Sequence, residues 1–265
     1  VSLIADRDGG FAPTRAPFTW LLERELLRFL RIWRYSILGQ ILAPVMMLLV
    51  FGFALDHKVT EAGGIPYNRF IFPGLVAQTI VICGYTNGTT SLFDARRDRY
   101  INDVLASPLR WWEINLACVC AAFIRSIITG GIVAVIGFAI VHGAIQRPLV
   151  LVAGVPAIMI VWAQIGVLVG VHVRSMDQNI ALQQLVIQPL TFLGGTFYSV
   201  SALPGVWNVV SHCNPVFYGV QLIRIGVLGH ADTSTALTLA LLWGLAAGLT
   251  VWSLAVFRVG STLKD

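Results

Sequence analysis

A chain of 265 residues that is 57% hydrophobic and only 12% charged is not an ordinary soluble domain, in which roughly a quarter of the residues carry charge. Its mean hydropathy is +0.78, and its charges gather in a few clusters between long apolar runs; this excludes the alternating pattern of a membrane barrel and reads as a polytopic helical membrane protein. The net charge of +5 therefore bears on orientation in the bilayer rather than on nucleic acid.

Residues 1–17 are polar and carry Pro13 and Pro17. They lack the basic, apolar, small-residue order of a secretory signal, so the first spanning helix is expected to direct insertion. From 18 to 34 the pattern becomes amphipathic. Phe18, Leu22, Leu26, Phe29, Leu30 and Trp33 share one helical face and Arg24, Arg28, Arg31 and Arg34 another, which predicts an interfacial helix with its arginines on anionic head groups.

Ile37–Leu55 is long enough to span, with Pro44 as an expected kink, and Asp56, His57 and Lys58 end it. Phe70–Leu92 runs back; its later half holds Thr86, Asn87, Thr89, Thr90 and Ser91, and Gly84 with Gly88 forms a small-xxx-small pair suited to close helix contact. The segment Asp94–Ile114 is the most charged within the chain. Asp94 is expected to N-cap a short helix over 94–107 that Pro108 ends, with Arg96, Arg97, Asp98, Arg99 and Asp103 outward and Tyr100, Ile101 and Leu105 inward. Trp111 and Trp112 mark re-entry into the interface.

Further spans are expected over Asn115–Val141, with Arg125 inside it, Leu149–Val171, Ile180 to about Tyr198, and Ala236–Phe257. Between the last two, Phe192–Gly229 is apolar but broken. Pro204 and Pro215 each remove a backbone donor, and Gly194, Gly195, Gly205 and Gly219 loosen the rest, which predicts short helices that dip back over 199–229 instead of a straight crossing. Six crossings place both termini on one side. Thirteen basic residues fall on that side and four on the other, with Arg125 between them, so both termini are expected to be cytoplasmic and the broken segment to face outward.

The chemistry carried by the chain itself is sparse. Lys58 and Lys264, the two lysines, are followed by Val and Asp, so neither closes a phosphate-binding loop, which needs Ser or Thr after the lysine. The motifs of serine and zinc hydrolases are missing, and Cys83, Cys118, Cys120 and Cys213 lack zinc spacing. Neither enzymatic activity nor a metal site is expected. Arg125 is the clear intramembrane charge; it is read as snorkelling, pairing with a polar group of the second span such as Asn87, or touching an anionic substrate. A chain that moves a solute with neither an ATP site nor a proton relay takes its energy from a partner, and the 94–107 segment offers the docking surface. A secondary transporter or channel acting alone, and a membrane sensor or anchor, are the competing readings.

With these residues assembled, the chain resembles the ABC-2 type family of ABC exporter permeases over nearly its whole length. The most specific match is GTFYSVSALPG followed by NPVFYGVQLIR, whose family positions are here Phe197, Tyr198, Leu203, Pro204, Asn214, Pro215, Tyr218 and Arg224. FDARRDRYINDVLASPL is similar to the family's coupling helix. The resemblance implies an all-α integral membrane protein forming one transmembrane domain over 1–265, in a bacterial inner membrane. It implies two cytoplasmic ABC ATPase subunits that bind ATP and magnesium, and a second permease, identical or paralogous. Export of a drug, lipid or glycolipid is the expected activity; this chain would hold no cofactor, and membrane lipids, not nucleic acid, would surround it.

Overall fold

The structure, a computed structural model, describes residues 17–31, 33–54, 65–97, 110–200 and 204–259. Its elements are helices: α1 (Pro17–Arg31), α2 (Trp33–Ala54), α3 (Tyr67–Arg97), α4 (Trp111–Val141), α5 (Pro148–His172), α6 (Met176–Leu182), a π-helical turn (Gln183–Ile187), α7 (Gln188–Leu193), α8 (Gly205–His212), α9 (Pro215–Leu228) and α10 (Thr235–Val259). Four are long and apolar enough to cross a bilayer: α3, α4, α5 and, over Thr235–Arg258, α10. Their burial differs sharply. In its most apolar window α3 is 89% buried, against 17% for α10, so α3 is the axis of the bundle and α10 its exposed edge.

Small residues let α3 and α5 meet at backbone distance. A Cβ on Gly88 would lie 2.5 Å from the Ala163 carbonyl oxygen, one on Gly170 would lie 2.8 Å from that of Thr89, and one on Gly166 would run into the Tyr85 carbonyl. Gly88 on α3 thus meets Gly166 on α5, with Gly84 against Trp162 and Ala163 on one side of that contact and Gly170 against Thr89 on the other. Between apolar helices in lipid the gain comes from such close contact and not from the hydrophobic effect. Around this seam pack Tyr85, Trp162, Ile158 and Leu75, all nearly inaccessible.

Helix ends follow local chemistry. The Glu113 carboxylate accepts the Arg110 backbone N–H at 2.6 Å in the first turn of α4, and α9 is opened by Asn214, whose side chain accepts the Val216 N–H at 3.0 Å, with Pro215 in the first turn. Gly229, at φ 83°, closes α9 in the left-handed region that glycine tolerates.

Three expectations are corrected here. Asp94 does not N-cap a new helix: α3 continues through it to Arg97, the amide it would cap is already inside a helix, and its carboxylate faces arginines instead. The fifth segment is not one helix over Ile180–Tyr198. It begins at Met176, passes through the π-helical turn and stops at Leu193, where Gly195 turns the chain at φ 80°. On α1 the buried face is centred on Leu21 and Glu25, at 2% and 3% exposure, so Arg28 turns into the protein and not toward head groups. Asp98, Arg99, Tyr100, Ile101, Leu105 and Leu203 lie outside the described residues.

Candidate functional site

The charged end of α3 is a densely connected polar point among the described residues. Glu25 of α1 is buried, and its carboxylate accepts the Ser91 hydroxyl at 2.8 Å while pairing with Arg28 at 2.9 Å. Arg28 also donates to Ser91 Oγ at 2.7 Å, to the Thr90 carbonyl at 3.2 Å and to Asp94 Oδ2 at 3.3 Å. Asp94 in turn sits 3.5 Å from Arg97 one turn on. A buried carboxylate is tolerated only when paired and hydrogen-bonded, and this alternation of Glu25, Arg28, Asp94 and Arg97 meets that condition while pinning α1 to α3.

Arg96 turns the other way. It donates to the carbonyls of Gly170 at 2.6 Å and Val171 at 2.8 Å, and also to that of Val173. The last carbonyls of a helix have no partner within it, so the Arg96 guanidinium closes the end of α5 and suits the negative pole there. It does not face outward as the pattern of a separate short helix predicts. Between the ends of α3 and α5 opens a cleft of about 500 Å³ lined by Phe93, Arg96, Arg97, His172 and Arg174 with Val171 and Val173. The sequence-predicted residues Asp94, Arg96 and Arg97 are therefore brought together, but by ties to α1 and α5.

Deeper in the bundle Arg125 of α4 donates to Asn87 Oδ1 of α3 and to Gln40 Oε1 of α2, each at 3.3 Å, and the Cys83 thiol reaches the same Gln40 oxygen at 2.8 Å. Of the readings open for Arg125, pairing with the second span is the one the geometry displays. A second buried polar clamp holds Asn115 of α4, Gln164 of α5 and Ser253 of α10: Asn115 Nδ2 donates to Ser253 Oγ at 2.5 Å and Gln164 Nε2 to Asn115 Oδ1 at 3.1 Å. Thr86 of α3 lies 3.5 Å from Gln183, the first residue of the π-helical turn, and Tyr85 donates to Asn179 at 3.4 Å.

At the far end of α3 the two halves of the broken segment converge. Asn214 Nδ2 donates to the Leu190 carbonyl at 2.6 Å, Tyr218 to the His212 carbonyl at 2.9 Å and Tyr67 to the Phe197 carbonyl at 3.1 Å. Phe197 stands between the rings of Phe51 and Phe192, at 5.9 and 5.5 Å. Arg224, 3% exposed, donates to the Gly195 carbonyl at 2.9 Å and lies 4.0 Å over the Phe70 ring, two contacts that replace part of the hydration a buried guanidinium loses. Pro215 opens α9, and Pro204 is the exposed residue before α8. Tyr198 lies in the turn between α7 and α8, half-buried. Asp232 closes the assembly: both its oxygens are 2.9 Å from Ser199 Oγ, and Gln221 Nε2 donates to it at 3.0 Å.

Sequence reasoning missed Glu25, Gln40, the Asn115–Gln164–Ser253 clamp and Asp232. Glu25 stands three residues before Arg28 and four after Leu21, a spacing that places an acid on the packed face. The others are single polar residues in apolar runs or loops, whose partners lie far along the chain.

The ABC-2 type transporter family model matches residues 17–228. The chain is 28% identical over 233 residues to the inner membrane transport permease YadH of Escherichia coli K12, covering 87% of this chain and 91% of that protein. It is 28% identical over 232 residues to nodulation protein J of Sinorhizobium fredii NGR234, with 85% and 87% covered. To nodulation protein J of Rhizobium leguminosarum bv. viciae it is 26% identical over 235 residues, with 82% and 88% covered.

Proposed function

The chain belongs to the ABC-2 type transporter family and is a multi-pass inner-membrane transport permease subunit; from that premise we propose that it forms the membrane path of an ATP-driven exporter whose ATP and magnesium are bound by two separate ABC ATPase subunits. A second permease, identical or paralogous, completes the path, and the cargo is hydrophobic or amphiphilic: a drug, lipid or glycolipid. Residues 1–265 act as one transmembrane domain.

The observation that carries this reading is the junction at the end of α3. The segment 94–107 is the proposed coupling helix, with Asp94, Arg97, Asp98, Arg99, Tyr100, Ile101 and Leu105 as its contact set. Its first turn is tied to α1 through Arg28 and to α5 through Arg96. A push delivered there by a closing ATPase would reach three helices, because coupling is carried through ion-paired and hydrogen-bonded contacts of this kind.

Six crossings follow if α2 and the Met176–Leu193 rod join the four long helices. In support, α2 is 22 residues long and the rod runs without interruption from Met176 to Leu193. The short α8 and α9 are read as dipping back. In support, Gly219 packs near Ile158, well inside α5, whereas Gly226 meets Leu151 near its start, so α9 climbs from within the bundle. The distribution of arginines favours cytoplasmic termini. Arg125 with Asn87 is the proposed polar point on the pathway, and Phe197, Tyr198, Leu203, Pro204, Asn214, Pro215, Tyr218 and Arg224 the outer gate.

Replacing Arg97, Asp98 and Arg99 together by alanine tests the coupling role. The expected result is membrane insertion at the normal level with loss of permease-dependent ATP hydrolysis and transport. Full transport-coupled hydrolysis by that variant refutes it.

A further inference from the structure

Between α3, α4, α5 and α9 a groove of about 270 Å³ runs along the membrane-facing side of the bundle, walled by Phe72, Ile80, Phe138, Leu151 and Met159 and floored in part by Gly130 and Gly131. Its lining is apolar throughout. At the end near the α4–α5 turn it shares Phe72 and Val227 with a second pocket of about 200 Å³, whose lining is mixed: Arg69, Gln146 and His230 edge it among apolar residues. The two adjoin at these shared residues, a hydrocarbon part beside a cationic mouth, and are taken together as one depression.

We infer that this depression is a binding site for an anionic phospholipid, one acyl chain lying in the groove and the phosphate at Arg69 and His230. Three observations carry it. Along α4 the groove extends from Phe138 to Ile127, about 16 Å at 1.5 Å per residue. That is the depth of one leaflet in a hydrocarbon core of about 30 Å. Ile127 and Ile145, on its rim, are each 48% exposed, so the groove opens sideways to lipid and is filled by hydrocarbon in any bilayer. At its mouth the Arg69 guanidinium is exposed and has no side-chain partner among the described residues, leaving its charge free for a phosphate. Hydrocarbon alone would make this ordinary lipid contact; the cation at one leaflet's distance from the groove floor makes it selective for an anionic head group.

Gly131 supplies a test that leaves the fold intact, because a Cβ there would meet nothing within 4 Å and a larger side chain would occupy the groove. The full chain is reconstituted in bilayers of phosphatidylcholine with about a quarter phosphatidylglycerol, extracted gently, and its retained lipids counted by native mass spectrometry. The expected result is a retained phosphatidylglycerol on the natural protein, enriched over phosphatidylcholine by roughly fivefold, the contribution of one arginine near an anionic group. Gly131→Leu should lose the retained lipid of either kind. Arg69→Ala should keep a lipid but lose the preference, and Arg69→Lys should restore it. Retention in proportion to the bilayer composition, or a preference unchanged in both Gly131→Leu and Arg69→Ala, would overturn the assignment.

Discussion

Four arginines that turn into the bundle, two of them buried and two half-buried, have each found a substitute for water, and the substitutes differ. Arg28 has carboxylates, Arg96 has the open carbonyls of α5, Arg125 has amide oxygens from two helices, and Arg224 has a carbonyl and an aromatic face. The sequence displays Arg125 and Arg224 as charges amid apolar residues, but it does not say what meets them, since Gln40 and Gly195 are distant along the chain. Glu25 was missed for another reason: its spacing from Leu21 sets it on the packed face, but an acid on an amphipathic helix reads as solvated until its helix is docked. Arg96 offers the sharpest test at this scale. Arg96→Ala leaves the last carbonyls of α5 without donors, and hydrogen bonds to a charged group contribute about 1.5–3 kcal/mol each, so the apparent melting temperature of the purified protein should fall measurably while Arg97→Ala, whose contacts with Asp94 and the Phe93 ring are made at an exposed position, should change it less. Equal melting temperatures for the two variants would mean that Arg96 does not hold α5.

The helices themselves were largely legible, because long apolar runs bounded by charges fix a spanning helix to within a few residues. Their ends were less so. Asp94 marks a change in composition, and composition suggests a boundary; the backbone hydrogen-bond ladder of α3 does not respond to hydropathy and continues to Arg97. The π-helical turn at Gln183 likewise has no local signal, and it stands where Thr86 of α3 approaches. Gly84 and Gly88 announced a close contact but not its partner, for α5 carries several glycines. That seam predicts a clear contrast. Gly88→Val or Gly166→Val must push α3 and α5 apart at backbone level, and overpacking of this kind costs about 1–3 kcal/mol; each variant should therefore be depleted from the folded fraction in size-exclusion chromatography. Gly131→Ala, where a Cβ meets nothing, should elute like the natural protein.

For the molecule as a whole, the family could be read from the outer motif and the charged loop together, whereas orientation rests on the distribution of arginine. Orientation is directly testable. In a protein with Cys213 replaced by serine, Trp207→Cys, at an exposed position on α8, should react with a membrane-impermeant maleimide added outside cells, and Asn102→Cys should react only after the membrane is opened. The reverse pattern would invert the topology. The central claim, that this permease draws its energy from a separate ATPase, is tested most directly by purifying the tagged protein from its own host in a gentle detergent and identifying its companions by mass spectrometry. The account predicts a P-loop ATPase at equal stoichiometry, together with either this chain alone or a paralogous permease. A folded, oligomeric protein that transports its cargo with no ATPase attached would contradict it.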